Sequence, residues 1–247
     1  MRAGTKSHFC TYLYYIIADF KRDFKMRMRK KKHSAERIEA CAEYLLKNPI
    51  ECFGKEDEIF GKKCPMLLEI GCGKGDFARG LSKMHPDRGI IALERVPDVA
   101  MFSLEKAKAT ADERPDNLRF IIGNAEYLND WFAPHTFECI YANFSDPWPK
   151  KGQHKRRLTA PGFLQRYEKL LVPGGELHFK TDNEDLFDWS IEQFKEYGLE
   201  IIFYTRDLHA SELAATNIVT EYEKRFTDLG QKIFSAHVKF PVKDSEQ

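Results

Sequence analysis

A chain of 247 residues that is 43% hydrophobic and 31% charged can bury a core, which excludes disorder and fits one large domain or two small ones. Its formal net charge is +1, yet residues 21–33 carry eight Lys/Arg against one Asp, and residues 150–157 carry five with no acid. Cations gathered on two short segments of an otherwise acidic chain point to a polyanion partner rather than general basicity, with solvated surface charge as the bland alternative for either run.

In chain order, FCTYLYYIIADF (9–20) is short, and basic residues follow it instead of preceding it, the wrong order for a signal peptide. No apolar stretch approaches the ~20 residues that cross a bilayer. Met26 opens MRMRKKK, so residues 1–25 are expected to be an upstream-start artefact or a loosely attached extension. From 34, SAERIEACAEYLLKN has helical spacing, with Ser34 as N-cap and Pro49 as the stop. A connector over 51–64 follows. Strands and helices then alternate: strand 66–70, helix 76–85, strand 90–93, helix 99–113, strand 118–122 and a short helix over 126–132. Strand 137–142, helix 162–171, strand 176–181 and helix 184–197 continue the pattern, and strands 199–207 and 232–240 close it. Such alternation predicts an α/β fold with right-handed crossovers and a mostly parallel sheet covered on both faces. Ligands then sit beyond the carboxyl ends of the strands.

The six cysteines form no CxxC pair and the eight histidines no HxxxH pair, so no metal site is expected and reduced cytosolic thiols are the default. After the first strand, EIGCGKGDF places Gly71, Gly73 and Gly75 where a strand must turn sharply into a helix. A dinucleotide fingerprint would need glycine at 76, where Asp76 stands and would repel a diphosphate. A plain strand–helix turn explains the glycines alone. Glu94 ends the second strand, where a carboxylate commonly accepts ribose hydroxyls. Glu69 ends the first, and GNAEYL puts Asn124 and the Ala125 amide after the third. Acids and glycines on successive strand ends suit an adenosine without phosphates. Glu69 would then meet the amine of S-adenosyl-L-methionine.

The loop NFSDPWPKKGQHKRR (143–157) combines an acid, a Pro-Trp-Pro turn and a cationic run. Together EIGCGKG, ALER, GNAE, this loop, FKTDNE and TNIVTEYEKRF are similar to the bacterial tRNA (guanine-N7-)-methyltransferase family, in order from about Met26 to Phe240. The glycine loop is shared by most class I methyltransferases, whereas SDPWPKKGQHKRR is highly specific. The resemblance implies a class I, Rossmann-like, mostly parallel seven-stranded sheet with helices on both faces and the last strand antiparallel. The chain is read as an N-terminal extension with a basic arm and helix (1–50) followed by a methyltransferase domain (51–247). The resemblance also implies methyl transfer from S-adenosyl-L-methionine to N7 of the guanine at position 46 in the tRNA variable loop.

Carried over by position, Glu69, Gly71, Gly73, Glu94, Asn124, Ala125 and Asp146 match cofactor-binding residues, and Asp146 also matches the catalytic one. Lys150, Asp182 and the segment Thr220, Glu221, Tyr222 and Glu223 match substrate-binding positions. Gly152, Gln153, His154, Lys155, Arg156 and Arg157 match the RNA-contacting segment. Position 124 is Asn where the family also shows an acid, and the first 25 residues are not part of the family pattern. Local roles compete with several of these assignments. Asp182 sits where a helix N-cap is needed, Thr220 and Glu223 have capping-box spacing, and Trp148 either packs the loop or stacks on a base. Two other readings compete with the whole: an inactive binding module on the same scaffold, and a methylase of exocyclic amines, because SDPW resembles the D-P-P-[YFW] signature. The expected partner is tRNA, with no membrane and no metal, and the expected assembly a cytoplasmic monomer or homodimer.

Overall fold

The computed structural model describes residues 31–113 and 116–242. The proposed 1–25 extension and most of the 21–33 basic run therefore lie outside the described residues. Seven strands form one sheet: β1 Met66–Ile70, β2 Gly89–Glu94, β3 Leu118–Ile122, β4 Phe137–Asn143, β5 Leu171–Thr181, β6 Glu200–Thr205 and β7 Phe234–Lys239. The order is β3-β2-β1-β4-β5-β7-β6. The first five pair in parallel, and β7 runs antiparallel to both β5 and β6. This is the fold class read from the sequence. β1 and β2 are buried at every residue, as continuous apolar runs in a doubly covered sheet must be, whereas edge strand β6 alternates exposed and half-buried positions.

Two core clusters cover the two faces. On one face, α4 Leu128–Trp131, α5 Pro161–Leu170 and α6 Glu184–Tyr197 bury Trp131, Phe163, Leu164, Tyr167, Phe187 and Phe194. On the other, α1 Ser34–Glu39, α2 Asp76–Met84 and α3 Pro97–Ala109 bury Ile38, Phe77, Leu81, Met101 and Leu104. A last helix, α7 Glu221–Thr227, follows the irregular stretch after β6. The chain leaves β1, winds outward through β2 and β3, and returns with β4 beside β1. The switch point therefore lies between the ends of β1 and β4, where an open α/β sheet binds ligands.

Three local readings differ from the structure. The expected helix over 34–48 ends at Glu39, because Leu45 bridges Phe120 and the Leu46 N–H donates to the Phe120 carbonyl at 2.9 Å. Pairing with the sheet draws this stretch out of the helix. Ser34 is not the N-cap; His33 holds that place at φ 59° without a side-chain cap. Finally, β5 begins at Leu171 rather than 176, since its Pro-Gly-Gly run is absorbed as a register irregularity against β4. Among the described residues no helix is long and apolar enough to cross a membrane, and no cluster of His, Cys, Asp and Glu could hold a metal.

Gly75 closes the glycine turn at φ 79°, and a Cβ there would stand 2.7 Å from the Ser103 Cβ on α3. Both the backbone and the α2–α3 approach demand glycine. We expect Gly75→Ala to lower unfolding free energy by about 2 kcal/mol in urea titration. An unchanged midpoint would show that α3 yields without cost.

Candidate active site

The cleft at the switch point encloses ≈ 380 Å³ and is lined by Glu69, Gly71, Gly73, Asn143, Phe144 and Tyr222, among others. Gly71 and Gly73 have φ of 81° and 55°, and a Cβ on either would meet nothing within 4 Å. These two glycines therefore serve the left-handed turn and leave the cleft open, while Gly75 serves packing. Glu69 at the end of β1 is 2% exposed, and one carboxylate oxygen accepts a long hydrogen bond from Asn143 Nδ2 at 3.4 Å. Its other oxygen, Oε2, is buried with no partner among the described residues. Burial pushes the Glu69 carboxyl up to about 8 from 4.5, against the opposing Asn143 hydrogen bond and the Lys180 charge.

Glu94, at the end of β2, is also buried, which raises its pKa. Its carboxylate accepts from the Gly73 N–H at 3.0 Å and the Val96 N–H at 2.8 Å. It is thus locked against the glycine turn, with further lone pairs to offer, since a carboxylate has about four acceptor positions. Asn124 follows β3 and caps the 3₁₀ turn Ala125–Tyr127, accepting from the Glu126 N–H at 3.2 Å and donating to the Glu126 carboxylate at 3.1 Å. Ala125 is buried. An orphaned buried carboxylate oxygen, a second fixed carboxylate and two unobstructed glycines fit an ammonium, ribose hydroxyls and a close backbone approach. They suit S-adenosyl-L-methionine.

The acceptor side is built by β4, β5 and α7. After β4 the chain passes through Phe144 at φ 51° and Trp148 at φ 41°, two non-glycine residues in the left-handed region that flank the exposed Asp146. Such conformations cost about 1–3 kcal/mol each and persist only where their surroundings hold them. Hydrogen bonds from flanking elements hold them. The Phe144 N–H donates to the Lys180 carbonyl at 2.8 Å, and Arg157 Nε donates to the Pro147 carbonyl at 2.8 Å. Asp182 follows β5. Asn183 takes the N-cap of α6 by accepting from the Leu186 N–H at 2.8 Å, which frees the Asp182 carboxylate from that local role. The Tyr222 hydroxyl lies 3.4 Å from one Asp182 oxygen and 3.5 Å from the other. Burial raises the Tyr222 pKa, and the charges of Asp182 and Asp146 add to it. Asp146, Asp182 and Tyr222 thus share one mouth of the cleft.

Two expected contact residues are buried and engaged within the protein. Glu223 is 0% exposed and bonded to Lys180 at 2.6 Å, Asn217 at 2.6 Å and His209 at 3.0 Å, so it anchors α7 from within. With Thr220 it forms the capping box that its spacing allowed. Arg157 is 4% exposed, clamps the Pro147 and Trp148 carbonyls and lies over the Trp189 ring at 4.5 Å. It holds the loop. Lys150, Lys151, Gly152 and Lys155 are exposed, whereas Gln153, His154 and Arg156 are half-buried. The His154 ring packs on Trp189, and the Arg156 guanidinium covers Trp148, which favours the packing role for that tryptophan. Thr220 lines the cleft, and Glu221 pairs with Lys74 of the glycine loop at 2.7 Å. Sequence reasoning missed Asn143 and Lys180. A lysine inside the apolar run ELHFKT was the available signal for the second.

A family model described as "Putative methyltransferase" matches residues 63–236. A tRNA (guanine-N(7)-)-methyltransferase of Geobacillus sp. (strain WCH70) is 44% identical over 218 residues, covering 88% of this chain and 97% of the relative. One of Bacillus subtilis (strain 168) is 41% identical over 215 residues, covering 87% and 99%. Among solved structures, the 16S rRNA methyltransferase KamB aligns with a TM-score of 0.56 at 14% identity, over 76% of this chain and 93% of that one. That likeness speaks to the fold alone.

The raised Glu69 pKa has a stability consequence in the protein free of cofactor. A carboxyl with a raised folded pKa contributes its neutral-form stability in full below its unfolded value, 4.5, and loses it as pH rises through about 8. We expect wild-type stability to urea to fall between about pH 5 and 8 relative to Glu69→Gln, which lacks the titration. Parallel pH profiles would show that Glu69 is ionised throughout.

Proposed function

The chain belongs to the tRNA (guanine-N7-)-methyltransferase family, and we propose that it transfers the methyl group of S-adenosyl-L-methionine to N7 of the guanine at position 46 in the tRNA variable loop. The observation that carries this reading is the meeting of two acids and a tyrosine, Asp146, Asp182 and Tyr222, at the mouth of the cleft that holds Glu69. S-adenosyl-L-methionine supplies, when bound, an electrophilic methyl group on a sulfonium. Glu69 would hold its ammonium, Glu94 its ribose hydroxyls, and Asn124 with the Ala125 amide its adenine edge.

The acceptor chemistry asks little acid–base work of the protein. Guanine N7 is a bare lone pair, so no base must first remove a proton. Alkylation there places a positive charge on the ring. A carboxylate at Asp146 accepts from the guanine N1–H and exocyclic amine and opposes that charge as it develops. Asp182, freed from capping, shares the base edge, and Tyr222 offers a half-exposed ring beside it. Alignment of N7 supplies much of the remaining acceleration. Lys150, Lys151 and Lys155 are the exposed cations of the neighbouring turn and hold RNA phosphates. The tRNA partner puts the site of action in the cytoplasm, with the enzyme working as a monomer or a homodimer.

Incubation of the protein with unmodified tRNA and cofactor, followed by nucleoside analysis, should yield 7-methylguanosine at position 46. Methyl on an exocyclic amine of adenine or guanine would overturn the assignment. Asp146→Asn keeps the shape of the loop and removes the charge; its turnover at saturating tRNA should fall by ~10²–10³ with cofactor affinity retained. Wild-type turnover in that variant would remove Asp146 from the reaction.

The turn makes a separate demand. Lys151→Glu with Lys155→Glu should lower the magnitude of the log–log salt slope of tRNA binding by roughly 1 to 2 units, while Asp146→Asn keeps the full slope. Unchanged salt dependence in the double reversal would leave the run as solvated surface.

A further inference from the structure

The cleft is an acidic place for a polyanion to enter. Glu69, Asp76 and Glu221 line it, and Asp146 and Asp182 stand at its mouth. Two cations, Lys74 and Arg225, line it as well. Lys74 is engaged with Glu221 at 2.7 Å. The cations behind the wall are engaged too: Arg79 and Lys106 with Asp76 at 2.8 and 2.9 Å, and Lys180 with Glu223 at 2.6 Å. Arg225 is different. It is exposed, and among the described residues it has no hydrogen bond or ion pair.

Its position on α7 gives that free guanidinium a direction. Tyr222 and Arg225 are three residues apart, hence neighbours on one helical face. Tyr222 reaches Asp182 with its hydroxyl and packs its ring at 4.9 Å on Phe144, two residues before Asp146. A nucleotide whose base edge meets Asp146 and Asp182 carries its own phosphodiester about one sugar away, and α7 stands beside that edge through the Tyr222–Asp182 contact. A planar guanidinium with a fixed fork of donors binds a phosphate through two parallel hydrogen bonds.

We propose that Arg225 grips a phosphodiester flanking the target guanosine and so positions the base that Asp146 and Asp182 read. This rests on the reading that the acceptor is a guanosine in RNA. Arg225 is then a positioning residue, separate from the 150–157 turn, and it offsets locally the repulsion between the acidic mouth and the RNA backbone.

The test combines protein variants with altered tRNA. Wild type, Arg225→Ala and Arg225→Lys are assayed on tRNA with natural phosphates, and on two tRNAs carrying an uncharged methylphosphonate immediately 5′ or 3′ of the target guanosine. Arg225→Ala should raise the KM for natural tRNA by roughly tenfold and reduce the salt slope by about one contact, 0.7–0.9 units, with cofactor affinity and urea midpoint unchanged. Arg225→Lys should recover part of the loss, as a point charge without the fork. One methylphosphonate should impair the wild type to a similar degree and impair Arg225→Ala no further, because the two changes remove the same contact. If Arg225→Ala keeps full sensitivity to both methylphosphonates, or lowers cofactor affinity instead of tRNA affinity, the proposal is overturned. A wild type that makes no 7-methylguanosine on natural tRNA would overturn the underlying reading and this inference with it, an outcome separable from the first two.

Discussion

Lys180 and Glu223 form an ion pair in the interior, 2.6 Å apart with side chains 5% and 0% exposed, and the acceptor half of the site hangs on it. Burying two charges is costly, and attraction between them compensates only when the remaining donors and acceptors are satisfied. They are satisfied here. The lysine also donates to the Asn217 side chain and the Ile218 carbonyl, each at 3.0 Å, and the glutamate accepts from Asn217. Burial works against the lysine's charge while Glu223 favours it. The bonds tie the end of β5 to residues 217–223 and so set where α7 begins. The positions of Thr220 and Tyr222 over the cleft follow from that anchor. The same lysine lies over the rings of Phe77 and Phe144, both of which line the cleft.

The loop after β4 depends on a second anchor of the same kind. Phe144 and Trp148 hold left-handed backbone on either side of Asp146, and neither is a residue that adopts it readily. Arg157 fastens the turn by its Pro147 and Trp148 carbonyls, and Trp189 covers the guanidinium. Burial lowers the Arg157 pKa, yet an arginine keeps its charge at any physiological pH. One basic run thus divides its labour. Its buried end shapes the turn that presents an acid, and its exposed lysines face solvent.

The cofactor side shows the opposite economy. Glu69 and Glu94 are acids kept out of water, burial outweighs the nearby Lys180 and Arg95 charges, and among the described residues one Glu69 oxygen has no partner. A fold selected for stability alone would place apolar residues there. Charges poised against burial are characteristic of sites that recognise a complementary ligand.

The sequence by itself determined the layered sheet, because continuous apolar runs such as MLLEI and GIIALE alternate with amphipathic helices and have one economical arrangement. It also placed Gly71, Glu94, Asn124, Asp146 and Asp182 on one edge, since each follows a strand and all parallel strands end on the same side. Periodicity and strand order carry that much. They do not say which of two roles a polar residue takes, because the choice depends on neighbours distant in the chain. Asp182 was released from helix capping by Asn183, an adjacent residue with the same ability. Glu223 turned inward because Lys180, 43 positions away, needed a counter-charge in the core. Arg157, read as a cation among cations, is buried because Trp189 and the Pro147 and Trp148 carbonyls surround it. The helix expected over 34–48 ended early because Leu45 and Leu46 found hydrogen bonds on β3. In each case tertiary contact decided, since the energy of burying and pairing a polar group exceeds the local preferences that a sequence displays.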